Sequence, residues 1–356
     1  MKPRRAVVLG TLLFLAVCAW EIIPMSAASV ESAYGAQIYP LWTRILVPLT
    51  DFVVVPIGLV ALGLGLPATL VFLLVRGRRD RARGADWRRL LLATAGRVFI
   101  LVLSVYLVFI ACWGACYRRP PLEERMGIDD RTLDSAELVD LADRVVKIVV
   151  RDYPEVDERD FSLATAAMRD SLRTLIEEWR LGEVRLPHSA KRVPAGWLLT
   201  FGSAGLCFPF TLEAYVDGGL PDVAFLAVAL HELAHVGGMA RESDADLAAY
   251  VAGLRSQNPY VRYALSLRLL RSVSRELEPD DRDRIRNTLP DGVRQDLRDI
   301  RDAMRRYDSP TLRAAQRRVY DQYLRSQGVD DGLRNYSKGL RLVVGAIENG
   351  LVELPR

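Results

Sequence analysis

Histidine and cysteine are scarce in this chain, three and four residues in 356. Cys18, Cys112 and Cys116 fall in or beside apolar runs, which leaves Cys207 alone in the polar remainder and excludes both a disulfide framework and a structural zinc cluster of cysteines. An excess of one charge is also missing. The formal net charge is only +4, and the one arginine-rich stretch has no interleaved aromatic except Trp87, so a nucleic-acid partner is not expected. No repeat or low-complexity tract occurs. What the chain has instead is segregation: its first third is nearly all apolar and the rest reads as soluble.

Three apolar runs, Ala6 to Trp20, Phe52 to Val75 and Val98 to Trp113, approach or reach the length needed to cross ~30 Å of hydrocarbon, and the sequence predicts three transmembrane helices. Lys2, Arg4, Arg5 and the small residues Ser26, Ala27 and Ala28 around the first run also fit a cleavable signal peptide, residues 1–28. Both readings give one orientation. Arg76, Arg78, Arg79, Arg81, Arg83, Arg88, Arg89 and Arg97 lie between the second and third runs, whereas the segment from Glu21 to Leu49 carries only Glu21, Glu31 and Arg44. Short arginine-rich loops stay in the cytoplasm, so the amino terminus is expected inside and everything after Tyr117 outside the cytoplasmic membrane.

The pair Pro120-Pro121 is expected to end the third span, because proline cannot continue a helix and biases the residue before it to extended geometry. Residues 1–119 then form a membrane anchor and residues 120–356 an extracytoplasmic domain. Asp134 with Glu137 reads as a capping box opening a helix whose face is Leu138, Leu141, Val145 and Ile148 or Val149. A second helix is expected from about Glu158 to Trp179. Gly182 to Asp217, punctuated by proline and glycine, is the plausible strand region, with Trp197 to Phe201 and Leu206 to Phe210 as its apolar segments. The last third, through Leu265 to Leu270, Asp281 to Thr288, Gly292 to Tyr307, Pro310 to Ser326 and Gly332 to Asn349, reads as successive amphipathic helices. The fold class is mainly α, with a small β region.

Two of the three histidines sit four residues apart in His231-Glu232-Leu233-Ala234-His235, near the end of an apolar helix that Pro221 or Asp222 opens. That spacing stacks both imidazoles on one helix face, where they can share a metal ion. A hydrolytic zinc site takes three protein ligands and leaves a fourth position for water. Glu232, rotated around the helix, is placed to act as the general base on that water. Gly237 and Gly238 permit a chain reversal, after which Arg241-Glu242-Ser243-Asp244-Ala245-Asp246 begins another helix. Glu242 is the expected third ligand and Asp246, one turn on, the partner of a ligand histidine's distal ring nitrogen. Asp244 is the rival ligand.

These residues resemble an uncharacterised bacterial membrane family catalogued as domain of unknown function 3810, whose members look like zinc-dependent peptidases. The likeness extends to Trp113-Gly114, Tyr117 to Leu122, Pro209 to Ala214, Asn258 to Tyr263 and Val319 to Tyr336. Family members usually carry asparagine where Asp246 stands, glutamate where Asp244 stands and asparagine where Cys116 stands, and the second of these differences keeps the rival ligand open. The resemblance implies a helical zincin-like domain holding Zn²⁺, an edge strand within Gly196 to Phe210 that pairs with extended substrate, and a separate oxyanion donor. Candidates for that donor or for substrate contacts are Arg241, Glu213, Tyr215, Tyr260, Tyr263 and His188, the last in a turn-like loop.

The resulting expectation is a membrane-anchored metallopeptidase acting on peptide or protein substrates beside the lipid bilayer. Two other readings fit the same residues. One is a non-catalytic metal-stabilised membrane binding protein; the other is a zinc amidase acting on a non-peptide envelope amide.

Overall fold

The computed structural model describes residues 3–153, 160–327 and 335–355; Lys2 and the expected helix starts at Glu158 and Gly332 lie outside them. The first apolar run forms α1 (Pro3–Ile22). Its apolar part, Ala6–Ile22, rises about 25 Å at 1.5 Å per residue, short of the ~30 Å hydrocarbon layer. After α2 (Ala27–Val30), a π-helical stretch (Glu31–Ile38) and α3 (Tyr39–Asp51) come α4 (Ile57–Ala82) and α5 (Trp87–Cys112). Among the described residues only α4 and α5 are long and apolar enough to cross a membrane, which corrects the expectation of three spans to two. α1 lies along α5 instead, with Phe14 and Phe99 ring centroids 6.1 Å apart.

Both long helices outrun their apolar sequence into the arginine-rich turn. Asp86 caps α5 by accepting from the Arg89 amide at 2.8 Å, satisfying one of the donors that every helix start leaves open. α4 begins at Ile57, not Phe52, because Pro56 stands at its N-cap. α5 stops at Cys112, earlier than Pro120-Pro121 alone suggests. Trp113 leaves the helical conformation there, and a 3₁₀ turn (Gly114–Arg118) follows.

The segment between the first two apolar runs packs into the same hydrophobic core as the helices that follow α5. Tyr39 is fully buried and its hydroxyl donates to the Val236 carbonyl at 2.7 Å. Glu31 holds Arg119 and Arg125, each at 2.6 Å. These guanidiniums pull its carboxyl below the usual range although burial acts the other way. Buried on one side of this pair, Arg119 also donates to the Leu181 carbonyl.

α6 (Leu122–Met126) leads to α7 (Ser135–Asp152), where Asp134 and Glu137 form the expected capping box. Leu141, Val145, Ile148 and Val149 of α7 are buried, with Leu138 packed against the core from its edge. α8 (Phe161–Glu178) is capped by Asp160. The strand region yields β1 (Lys191–Val193), β2 (Gly205–Phe208) and β3 (Glu213–Asp217), in the order β1-β3-β2, with β1 parallel and β2 antiparallel to β3. Trp197 to Phe201 is not a strand. The Asp217 carboxylate accepts from the amides of Gly196, Leu198 and Leu199 at 2.8, 2.8 and 3.1 Å and curls the segment into a turn and a 3₁₀ helix.

α9 (Asp222–Val236) and α10 (Glu242–Leu254) form the centre of the fold, enclosed by α8, the sheet and α11 (Pro259–Glu276). All of α10 and nearly all of α9 are buried. α12 (Pro279–Thr288), α13 (Asp291–Arg306), α14 (Pro310–Ser326) and α15 (Asn335–Glu348) complete the helical run, with α15 packed on α10. The fold is mainly helical with one small sheet, as expected.

Candidate metal centre

Gly238 turns the chain between α9 and α10 with φ +91°, a left-handed conformation that a side chain would strain. The reversal brings the first residue of α10 over the face of α9 that carries the histidines. His231 Nε2 lies 3.1 Å and His235 Nε2 3.8 Å from the two oxygens of Glu242. The ligand atoms of the three lie within 4.8 Å of one another, and all three residues are buried. This triad could hold a metal ion.

The opposite ring nitrogens are already engaged. His231 Nδ1 lies 2.9 Å from Asp246 Oδ1, and His235 Nδ1 2.7 Å from the Met239 carbonyl. With each Nδ1–H donated outward, both Nε2 lone pairs point at the common space beside Glu242, the arrangement that fixes tautomer and ring angle in metal sites. Arg268 of α11 donates to Asp246 Oδ1 at 2.7 Å and so anchors the anchor. Tyr320 of α14 donates its hydroxyl to Glu242 Oε1.

Charge makes the same point as geometry. Glu232, Glu242 and Asp246 are three buried carboxylates facing the single guanidinium of Arg268, which leaves two negative charges for a divalent cation to balance. Protons fill that role when no ion does. Burial opposes charging of His231, but Asp246 and Glu242 prevail and push it up to about 10. His235 is raised for a similar reason by Glu242. Glu242 is held far below the usual carboxylate range by both imidazoles, again against burial.

Glu232 differs from the other carboxylates. Burial is the largest influence on it and raises its affinity for a proton, the neighbouring imidazoles only partly opposing. Its Oε1 packs against the backbone of β2: a β-carbon added at Gly205 would sit 2.5 Å away. β2 is the terminal strand of the sheet among the described residues, and its Gly205 end, whose carbonyl accepts from Ser203 Oγ, lies beside this carboxylate.

Asp244 is turned to the other side of α10. It accepts from the Leu122 amide at 3.1 Å and lies 3.7 Å from Arg241, and burial pushes its carboxyl up to about 6. Arg241 itself donates to the carbonyls of Arg119 and Tyr117, stapling α10 to the end of α5. Glu213 and Tyr215 belong to a network at the head of α4, where Glu213 accepts from the Gly58 amide at 2.8 Å and from the Tyr215 hydroxyl at 2.7 Å. Tyr260 is buried on α11, and Tyr263 donates to Asp296 at 2.6 Å. His188 is exposed in a loop and paired with Asp51. None of these last five is brought to the triad.

Three residues that touch the site carried no chemical signal of their own. Arg268 is a charge inside the apolar run Leu265 to Leu270, an interruption that marks a buried partner. Trp113, the first residue after α5, donates its indole N–H to the His235 carbonyl at 3.1 Å, and its ring lies 6.2 Å from that imidazole. Tyr320 comes from a helix far along the chain, inside the stretch Val319 to Tyr336 that carries the family likeness but no sign of contact with Glu242.

Comparison with known proteins identifies a family. The family described as "Protein of unknown function (DUF3810)" covers residues 34–344, and the chain belongs to it. No curated protein and no solved structure matches.

Proposed function

We propose that this chain is a membrane-anchored zinc metallopeptidase whose catalytic centre is His231, His235, Glu242 and Glu232. The observation that carries the reading is the convergence of two imidazole Nε2 atoms on the Glu242 carboxylate while both Nδ1 atoms are held from behind. Two imidazoles and one carboxylate are a donor set suited to zinc, and three protein ligands leave a position open, as hydrolytic sites require. A bound zinc ion would supply Lewis acidity, lowering the pKa of a water molecule to about 7 and polarising a carbonyl.

The remaining steps fall to side chains. Glu232 takes the proton of the attacking water and returns it to the leaving amine; a raised proton affinity suits a group that must do both near neutral pH. Asp246 with Arg268, the Met239 carbonyl and Tyr320 fix the ligands in place. The position of β2 as the terminal strand, with Gly205 beside Glu232, favours an extended polypeptide as the substrate, since main-chain hydrogen bonds to a strand edge hold a peptide in line. A protein that only binds metal would have no use for a buried carboxylate there.

The hairpin α4–α5 supports the proposed location. Its arginine-rich turn, from Arg76 to Arg89, is the end that stays in the cytoplasm by the positive-inside rule. The head of α4 and the end of α5 join the helical domain, which supports a site on the extracytoplasmic side.

Glu232→Gln separates binding from turnover. Stoichiometric zinc should stay bound while hydrolysis of a peptide library falls about 10²- to 10⁴-fold. Retained hydrolysis, or wild-type protein purified without stoichiometric metal, would overturn the proposal.

A further inference from the structure

The site lies against both extracytoplasmic ends of the membrane hairpin. At one end, Trp113 follows directly on α5 and bonds the carbonyl of His235. At the other, the Ile57 and Gly58 amides at the head of α4 donate to Glu213, the β3 residue paired with Phe208 of β2. Phe208 packs so closely on Gly58 that a β-carbon there would collide with its ring. β2 therefore runs from Gly205, beside the Glu232 carboxylate, to Phe208, at the mouth of the span. Three residue steps at about 3.3 Å separate these points, roughly 10 Å.

The loop between α3 and α4 carries apolar side chains suited to a bilayer surface. Phe52 and Val54 are 91 % and 90 % exposed and Val55 is 53 % exposed, an apolar projection continuous with the exposed apolar face of α4. The sheet is fastened to that loop. Lys191 of β1 donates to the carbonyls of Thr50 and Val55 at 2.7 and 3.1 Å and pairs with Glu213. With the loop dipped into lipid, the Phe208 end of the strand edge stands at headgroup level.

We infer that the substrate is a polypeptide anchored in the same bilayer by its own apolar segment, laid along the outer edge of β2 and addressed within about six residues of the membrane surface. The inference rests on the proposed peptidase reading for its chemistry, but its geometry is independent of turnover. A chain leaving the lipid beside α4 reaches Glu232 after only three or four extended residues. A soluble peptide gains nothing from that proximity, whereas an anchored one is confined to the plane in which the site lies, at a correspondingly high effective concentration.

The test uses the full chain in lipid nanodiscs with zinc. Glu232→Gln protein carrying photo-leucine in place of Leu206, a partly exposed residue of β2, is illuminated with two peptides of one sequence, one fused to a transmembrane helix inserted in the same discs and one free. The anchored peptide should cross-link at least tenfold more, at positions within about six residues of its apolar segment. Equal labelling of the two, no labelling of either, or labelling centred more than about twelve residues out would overturn the inference. Photo-leucine in place of Val54 should capture lipid, and its failure to do so would also overturn it. Wild-type protein is then assayed for cleavage of the same anchored peptide: cross-linking without cleavage sinks the peptidase reading and leaves the membrane-tethered partner standing.

Discussion

Apart from the packing of α1 along α5, the α4–α5 hairpin buries little more than Gly58 and the last turns of α5, whereas the α9–α10 hairpin, also rich in apolar residues, is buried along nearly its whole length. Hydrophobicity alone does not separate them. The difference lies in where each keeps its polar groups. In α4–α5 the charges collect at the turn, from Arg76 to Arg89, and the apolar stretch between the ends is unbroken enough to cross lipid. In α9–α10, His231, Glu232, His235, Glu242 and Asp246 sit in the interior of the fold, where lipid could not solvate them and only mutual contacts or an ion can. A hairpin of that composition needs a protein shell, and the rest of the chain supplies it.

Removing the ion should strain this contrast most. On the proposed reading, chelation removes an ion that the folded α9–α10 hairpin binds and the unfolded chain does not, a linkage of about 4 kcal/mol at a thousandfold excess over the dissociation constant, while protons on the two imidazoles take over the charge balance. His235→Ala should do the same without chelator. Thermal unfolding of detergent-solubilised protein, with metal content measured on the same samples, checks it. A melting temperature that ignores the loss of stoichiometric metal would show that the ion does not hold the hairpin together.

Shortening one leucine in each hairpin separates the two surroundings by packing alone. Leu230 is fully buried and Leu64 is 69 % exposed in the protein. Leu230→Ala is expected to cost about 2–5 kcal/mol, with the upper end reached if the cavity cannot collapse. On the proposed membrane reading, Leu64→Ala exchanges one lipid-facing contact for another and should stay within about 0.5 kcal/mol. Denaturant midpoints in one detergent give both numbers, and equal losses would mean that α4 packs against protein.

Local pattern made much of this legible. The capping box at Asp134, the strand region after Gly182, the two long apolar helices and the bend at Gly237-Gly238 depend on neighbours within a few residues, and sequence spacing reports such neighbours directly. His231, His235, Glu242 and Asp246 come together for the same reason, since one helix turn and one tight bend suffice. What spacing could not report is contact between distant segments. Tyr39 against Val236, Arg268 on Asp246 and Tyr320 on Glu242 are separated by 197, 22 and 78 residues. The first apolar run misled because composition counts apolar residues without asking whether they rise far enough to span; Ala6–Ile22 does not.

The polar groups within α9–α10 can be weakened one at a time. Asp246→Asn keeps the shape of the side chain but removes the charge behind His231, and loss of such an outer partner typically costs 10- to 100-fold in metal affinity. That corresponds to about 1.4–2.7 kcal/mol. Competition with a zinc chelator of known affinity measures it. Unchanged affinity would mean that Arg268, not Asp246, orients the imidazole.

Acidity gives a smaller and signed effect. In the metal-free protein the His231 pKa is raised from 6.5 to about 10, chiefly by Asp246 against the opposition of burial. A group bound more tightly to its proton in the folded state contributes stability that is complete below about pH 6.5 and lost as the pH rises through about 10. A bound metal requires the neutral imidazole, so zinc should flatten this slope. Unfolding midpoints from pH 6 to 10, with and without zinc, test the sign; stability that climbs with pH in the metal-free protein would refute it.

The helix starts of the two hairpins supply the smallest expected difference. α5 opens on Asp86, whose carboxylate caps the Arg89 amide at 2.8 Å in the exposed arginine turn. α10 opens on Arg241, which makes no side-chain cap, and its first residue is Glu242. There the carboxylate that could have served the helix end is committed to the imidazoles, while its negative charge still favours the positive end of the helix dipole. Asp86→Ala should cost α5 about 1 kcal/mol, the usual worth of such a cap, without altering metal affinity. Hydrogen exchange would register it as faster exchange of the Arg89 amide alone among the two helix starts. Protection unchanged at Arg89 would mean that packing of the span, and not its cap, fixes where α5 begins.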